Sequence, residues 1–231
     1  MNHAIKRATA TVVTLAALSL APSAPAQATA PPAAAAKTAR ISVAVGLLNV
    51  AAEDRTGYQR DSFKHWNAGL KPDGCNTRNE VLISEAVTAP TVGARCALTG
   101  GEWKSYYDDT TVTSAAALDI DHMVPLAEAW DSGASAWTAA RREAYANDQG
   151  QAASLIAVTA RSNRAKADQD PAQWLPPASD ALCRYTSEWL ATKLRWGLTV
   201  DQNERYRLYQ LAAGCTDTSV TWTTAPQTSS P

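Results

Sequence analysis

No aspartate or glutamate occurs before Glu53, and all 22 acidic residues of the chain follow from there. The first fifth is therefore a different polymer from the rest, and only the remainder carries the mixed charge of a domain surface. The acid-free stretch opens with Lys6 and Arg7, runs through the apolar segment Thr11–Leu20, and then reaches small residues from Ala24 to Ala30. That order is the pattern of a secretory signal peptide. The apolar run is shorter than the roughly 20 residues that a bilayer-spanning helix needs, and no second run of that length follows. The expected organisation is a signal peptide at 1–28, an Ala/Pro-rich spacer at 29–40, one domain at 41–215 and an unstructured Thr/Ser-rich tail at 216–231. The protein is expected to be secreted, with no membrane span in its mature form.

Removing Lys6 and Arg7 takes two of the 21 basic residues away and leaves the chain more acidic than its formal net charge of −1. A protein that grips polyanions without specificity is expected to be basic. Any contact with nucleic acid must therefore come from a local cluster of cations.

The cysteines are Cys75, Cys96, Cys183 and Cys215. In an exported protein they are expected to form disulfides. Of the possible pairings the local ones, Cys75–Cys96 and Cys183–Cys215, are preferred. Cys183 lies near the start of a helical stretch, Asp180–Trp196, and Cys215 follows the next, Val200–Gly214. A turn at Gly197 would bring both sulfurs to one end. No CxxC occurs, which argues against a structural metal site.

Ile41–Ala52 reads as a helix or a buried segment, and helical patterns also occur at Tyr58–Trp66, Thr77–Val87 and Ser135–Asn147. Short strand-like runs fall at Arg95–Thr99, Glu102–Tyr107, Thr110–Thr113, Ala116–Asp121 and Ser154–Thr159, with Gly100-Gly101 as a hairpin signal. The class is α+β. Of the eight Trp, Trp103, Trp130, Trp137, Trp189 and Trp196 sit in apolar patterns typical of a core. Trp174 in QWLPP reads as the pin of a turn.

The richest candidate site is Leu118-Asp119-Ile120-Asp121-His122-Met123-Val124-Pro125. In a strand, Asp119 and Asp121 share one face, and their mutual repulsion calls for a cation nearby. His122 follows at the strand's end. A carboxylate beside an imidazole suits metal-assisted hydrolysis, with an oxygen ligand for the cation and a nitrogen base for water. An Asp-His pair alone is more often a turn or a cap. Its weight increases with Leu155–Pro171, a strand, a turn at Arg161-Ser162 and a polar helix beginning near Asn163. Ser162 as a cap and Asn163 as an ordinary first-turn residue stay open as alternatives. His65 has no acidic neighbour at useful spacing and is left outside the site.

The order DIDHMVPL, an apolar strand, then SNRAKADQDP resembles the HNH family of endonucleases. With RREAYANDQ and CRYTSEWLATK, the chain from roughly Arg40 to Cys215 resembles the secreted branch related to the C-terminal nuclease domain of GmrSD-type restriction enzymes. This implies a ββα-metal core (HNH, or His-Me finger) embedded in a mostly helical domain with a small antiparallel sheet. It implies an endonuclease acting on nucleic acid, DNA being expected, with His122 as general base, Asp121 and Asn163 as ligands of one divalent cation, and Asp119 as a further ligand or a partner of one. The middle Asn of many HNH motifs falls on Ser154 here, with Asn147 nearby.

Only His65 and His122 remain in the mature chain, so a zinc centre of several His or Cys ligands is disfavoured. Asp and Asn oxygens suit Mg²⁺ first, with Mn²⁺ or Ca²⁺ as alternatives. An unperturbed imidazole, near ~6.5, predicts activity falling below about pH 6. Arg141 and Arg142 between the halves of the motif, with Arg161, Arg164 and Lys166 around Asn163, form the local cationic cluster expected to contact phosphates. Arg141 and Arg142 equally suit a solvated helix face. The competing function is a secreted binding module for cell-wall polymer, its Asp/Asn cluster holding a structural Ca²⁺. No protein partner is evident.

Overall fold

A computed structural model describes residues 35–227 together with Met1. The expected signal peptide, apart from Met1, lies outside the described residues, and the elements below belong to one unit that begins at Ala34. In chain order, β1 (Lys37–Arg40) leads into α1 (Ile41–Gly46), followed by α2 (Thr77–Ser84), β2 (Thr91–Val92), β3 (Leu98–Thr99), β4 (Trp103–Ser105), β5 (Thr110–Val112) and β6 (Leu118–His122). Then come α3 (Leu126–Asp131), α4 (Ala139–Ala146), β7 (Leu155–Thr159), α5 (Ala160–Lys166), α6 (Leu182–Trp196), α7 (Gln202–Ala213) and β8 (Ser219–Trp222). The strands form separate antiparallel pairs, β1 with β8, β2 with β3, β4 with β5 and β6 with β7. The α+β class holds, with four small two-stranded sheets in place of a single one.

The β6–β7 pair is buried on both faces, which is why β7 reads as the continuous apolar run LIAVT, buried at every position. Leu118, Ile120, Leu155 and Ala157 pack with Val81 and Leu82 of α2 and with Trp103. Ile156 and Val158 turn the other way, into the main core with Trp189, Leu190 and Leu126. α5 follows β7 without a loop. Thr159 caps it by accepting a hydrogen bond from the Ser162 amide at 3.3 Å. The turn expected at Arg161-Ser162 is thus already helix, and Thr159, not Ser162, is the cap.

α6 ends on Gly197, whose φ of 68° reverses the chain into α7, capped by Asp201. The Cys183–Cys215 disulfide joins the start of α6 to the residue after α7 and its following glycine, and Cys75–Cys96 forms as well. Within this hairpin, fully buried Lys193 donates to Glu128 of α3 at 2.7 Å, to Glu204 of α7 at 2.8 Å, and to Ser132 Oγ and the Thr199 carbonyl. A buried ammonium keeps its charge only when every proton finds an acceptor. Here the acceptors come from elements that surround α6, so one charge registers several helices.

Two boundaries expected from composition are corrected. Residues 37–40 and 219–222, assigned to spacer and tail, pair as β1 and β8, with Lys37 opposite Trp222 and Arg40 opposite Ser219. The Thr/Ser-rich stretch hides a period of two: Val220 and Trp222 turn inward while Ser219 and Thr221 face solvent. Beyond it, the Ala225 amide donates to the Arg195 carbonyl, and the Arg195 guanidinium donates to the carbonyl and hydroxyl of Thr223.

The Gly100-Gly101 hairpin does not join its two expected strands, since β3 pairs back to β2 and β4 forward to β5. Gly101 has a φ of 89°, and a Cβ there would stand 2.6 Å from the Trp103 ring. The glycine thus lets the chain pass close to a buried indole on the way from one pair to the next. Tyr58–Trp66, expected to be helical, is an irregular strap with a single 3-10 turn at Arg60–Ser62. Phe63, fully buried, fixes it to the core, and Trp66 lies in the left-handed region with a φ of 58°.

Candidate active site

β6 and α5 present their polar residues to one cavity of about 400 Å³, lined by Asp121 and His122 from the strand, Asn163, Arg164 and Ala167 from the helix and its cap, and Tyr58 and Arg60 from the strap. Asp121, His122 and Asn163 therefore meet at one place. Asp119 stands beside them, its Oδ2 accepting a hydrogen bond from Asn163 Nδ2 at 3.3 Å and lying 3.7 Å from Arg164 Nε. That contact commits the nitrogen end of the Asn163 amide and leaves the oxygen end as an acceptor.

His122 is buried, and its Nε2 is 2.9 Å from the Ala146 carbonyl at the end of α4. A carbonyl only accepts, so Nε2 carries the hydrogen and Nδ1 keeps the lone pair. The ring stacks against Trp66, with centroids 5.4 Å apart and planes 22° apart, and against Tyr145 on a 17° plane angle. Burial pushes the imidazole down to about 3, against the opposing effect of the Ala146 carbonyl. The group is thus neutral across the ordinary range, and the loss of activity expected below about pH 6 does not follow from His122 in this environment. His65, left outside the site by the sequence, has its ring centroid 6.3 Å from that of His122.

Asp121 is also buried. Its Oδ2 accepts from Lys166 Nζ at 2.5 Å and from the Tyr107 hydroxyl at 2.7 Å. Among the described residues no hydrogen bond falls on Oδ1, so one carboxylate oxygen is fixed and the other is left for a ligand. Burial raises the Asp121 carboxyl and lowers the Lys166 ammonium, and the ion pair opposes both shifts.

The cationic cluster expected around the site divides. Arg161 and Arg164 are 83% and 77% exposed at their side chains and available to a phosphate. Lys166 is not, being wholly buried with its protons on Asp121 and on the carbonyls of His122 and Met123. Arg141 lies over the rings of Trp137 and Trp196 and donates to the Trp196 carbonyl. Arg142 donates to the carbonyls of Ser62, Ala134 and Trp137. These three tie backbone together, which corrects their assignment as phosphate contacts. The planar guanidinium suits that task because its five donors fan out to several carbonyls at once.

Ser154, at the middle position of the motif, donates to Asp148 Oδ2 at 2.7 Å, and its carbonyl accepts from the Met123 amide. Asn147 ties the strap to α4, donating to the carbonyls of Lys64 and Glu143 and accepting from the Asn67 amide. Among the described residues neither is hydrogen-bonded to His122. Ala146 orients it instead, through a backbone atom that no side-chain pattern reveals. Tyr58, Arg60, Trp66 and Tyr107 were likewise not singled out for the site. The aromatic and basic residues crowded into Tyr58–Trp66 were the available signal.

Among the described residues, carboxylates also gather at Glu53 with Glu128 and Glu204, and at Glu53 with Asp170 and Asp201. Lys193 already answers Glu128 and Glu204 there.

The family model of the C-terminal domain of GmrSD restriction endonucleases matches residues 84–211, more than half of the chain and the whole of β6 through α5. The chain belongs to this family. As a GmrSD C-terminal domain protein it falls in a family named for nucleases. Its match to an "Uncharacterized secreted protein" of Arthroderma benhamiae is 42% identical over 160 residues, 69% of this chain and 76% of the relative. No solved structure matches the chain significantly. The family match covers the cavity's strand and helix, whereas the Tyr58–Trp66 strap lies before it.

Proposed function

We propose that this chain is a secreted, metal-dependent endonuclease of the HNH type that hydrolyses phosphodiester bonds of nucleic acid, with DNA as the expected substrate. The observation that carries the reading is the convergence of Asp121, His122 and Asn163 on one cavity, in a strand–strand–helix unit. The donor set fits a hard divalent cation, Mg²⁺ first. Asp121 Oδ1 has no other partner among the described residues, and the Asn163 amide is turned by Asp119. Both are oxygen donors of the kind such ions prefer. When bound, the cation supplies Lewis acidity at the scissile phosphate and charge stabilisation for the leaving oxygen.

His122 takes the proton of the attacking water on Nδ1, while the Ala146 carbonyl holds Nε2–H and so fixes ring and tautomer. Lys166 and Tyr107 hold Asp121 by one oxygen and keep the other directed to its ligand. Arg161 and Arg164 stand ready at the helix surface for flanking phosphates. Secretion is supported by the acid-free leader and by the name of the Arthroderma benhamiae relative.

The test is plasmid degradation by wild type and His122→Ala with Mg²⁺, with and without EDTA, alongside thermal unfolding of both proteins. Cleavage that EDTA abolishes, and that His122→Ala loses while still folded, is the expected result. Wild type that cleaves nothing with Mg²⁺, Mn²⁺ or Ca²⁺ overturns the reading in favour of a non-catalytic binding module. Activity on small phosphodiesters alone would make it a different phosphodiesterase.

A further inference from the structure

We propose that Arg60, on the strap outside the family-matched segment, is a substrate-phosphate contact of this site, facing the α5 wall across the cavity. The inference rests on the nuclease reading and adds to it the residue that takes the place of Lys166, Arg141 and Arg142.

The cavity's carboxylates are already answered by other cations. Asp168 pairs with Arg55, Asp119 lies nearest Arg164, and Asp121 holds Lys166. Among the described residues Arg60 has no such partner, although it lines the same cavity as His122. The Tyr58 hydroxyl beside it in the cavity takes up part of its fork, and an exposed arginine without a carboxylate keeps the remaining donors for a ligand, to which phosphate is matched.

Arg60 is also held in place. Its carbonyl accepts from the Phe63 amide in the 3-10 turn, and fully buried Phe63 follows three residues on. Arg142 donates to the Ser62 carbonyl and Asn147 to that of Lys64. The backbone beneath Arg60 is thus tied to α4, the helix whose Ala146 carbonyl orients His122.

Among the described residues β6 pairs with β7 alone. Ile120 is paired with Ala157, whose amide turns away from β6 to Glu85 at 2.7 Å. In an antiparallel ladder that makes the pair a non-hydrogen-bonded one, so Ile120 directs its own N–H and C=O away from β7, between the Leu118 carbonyl that accepts from Arg78 and the His122 carbonyl that accepts from Lys166. Ile120 lines the cavity there. An anion between Arg60 and this edge of β6 meets a guanidinium on one side and a backbone donor on the other.

The test uses the full-length protein, with Arg60→Ala and Arg60→Lys, and with Lys71→Ala as an exposed cation beside a different cavity. Binding of a fluorescein-labelled oligonucleotide is measured in EDTA across a NaCl series, and cleavage is measured in Mg²⁺. Arg60→Ala is expected to weaken binding about tenfold and to lower the slope of log K against log salt by about 1. Arg60→Lys should keep the slope and lose part of the affinity, and Lys71→Ala should match wild type. Melting temperatures of all variants are expected to agree with wild type. If wild type binds and cleaves while Arg60→Ala equals it in affinity and slope, the Arg60 assignment falls and the nuclease reading stands. If wild type neither binds nor cleaves, both fall.

Discussion

Lys166 Nζ lies 2.5 Å from Asp121 Oδ2 with both side chains out of solvent, and its remaining protons go to the carbonyls of His122 and Met123. A single buried cation thus fixes a carboxylate of the cavity and the backbone that follows it. Lys166→Met removes the charge while filling similar space, and leaves a buried carboxylate without its partner. Chemical denaturation is expected to show a loss of about 3–5 kcal/mol. An unchanged midpoint would mean that Asp121 is not held in this way.

Asn163 and Asp119 are expected to separate by function. Asn163→Ala removes a proposed oxygen ligand from a partly exposed position and is expected to raise the Mg²⁺ concentration needed for half-maximal cleavage on the order of 100-fold, with little change in melting temperature. Asp119→Ala, which removes the group that orients that amide and pairs with Arg164, is expected to cost about 10-fold. Equal Mg²⁺ titrations for wild type and Asn163→Ala would remove Asn163 from the ligand set.

Burial pushes Glu85 up to about 7 from an ordinary 4.5, against the Ala157 amide that donates to it. The folded state therefore binds a proton that the unfolded state releases. This contribution is fully present below about pH 4.5 and is lost as pH rises through about 7. Relative to Glu85→Gln, wild type should lose stability between about pH 4.5 and 7, at no more than about 1.4 kcal/mol per pH unit. Parallel urea midpoints for the two proteins across that range would refute the shift.

Ending the chain after Thr218 removes β8, with buried Val220 and Trp222, and the Ala225 amide that binds the Arg195 carbonyl. At about 1.5–3 kcal/mol for each fully buried large apolar side chain, the truncated protein should lose several kcal/mol. A dispensable tail would leave the urea midpoint where it was.

Much of the site could be read from the chain because its parts are local. Asp121 and His122 adjoin at the end of one strand, and Asn163 sits early in the helix after the next, so a strand pair and a helix suffice to bring them together. The cysteine pairs were local in the same sense, each closing a short excursion. Where partners come from distant segments, composition misled. Arg141, Arg142 and Lys166 have the same formal charge as Arg161 and Arg164, yet the first three answer part-buried carbonyls or a buried carboxylate. The tail looked unstructured because β8 alternates Ser and Thr with only two large apolar residues, and its partner strand lies at the other end of the domain.

The sequence by itself determined the α+β class, the disulfide pairs and the residues that converge on the cavity, since each rests on composition or on neighbours along the chain. Only the tertiary structure decided which cations face solvent, which atom orients His122, and which oxygen of Asp121 is left open. Those depend on the acceptors that other segments bring near. A buried charge is tolerated only where the fold supplies them, and that supply is a property of packing, not of spacing.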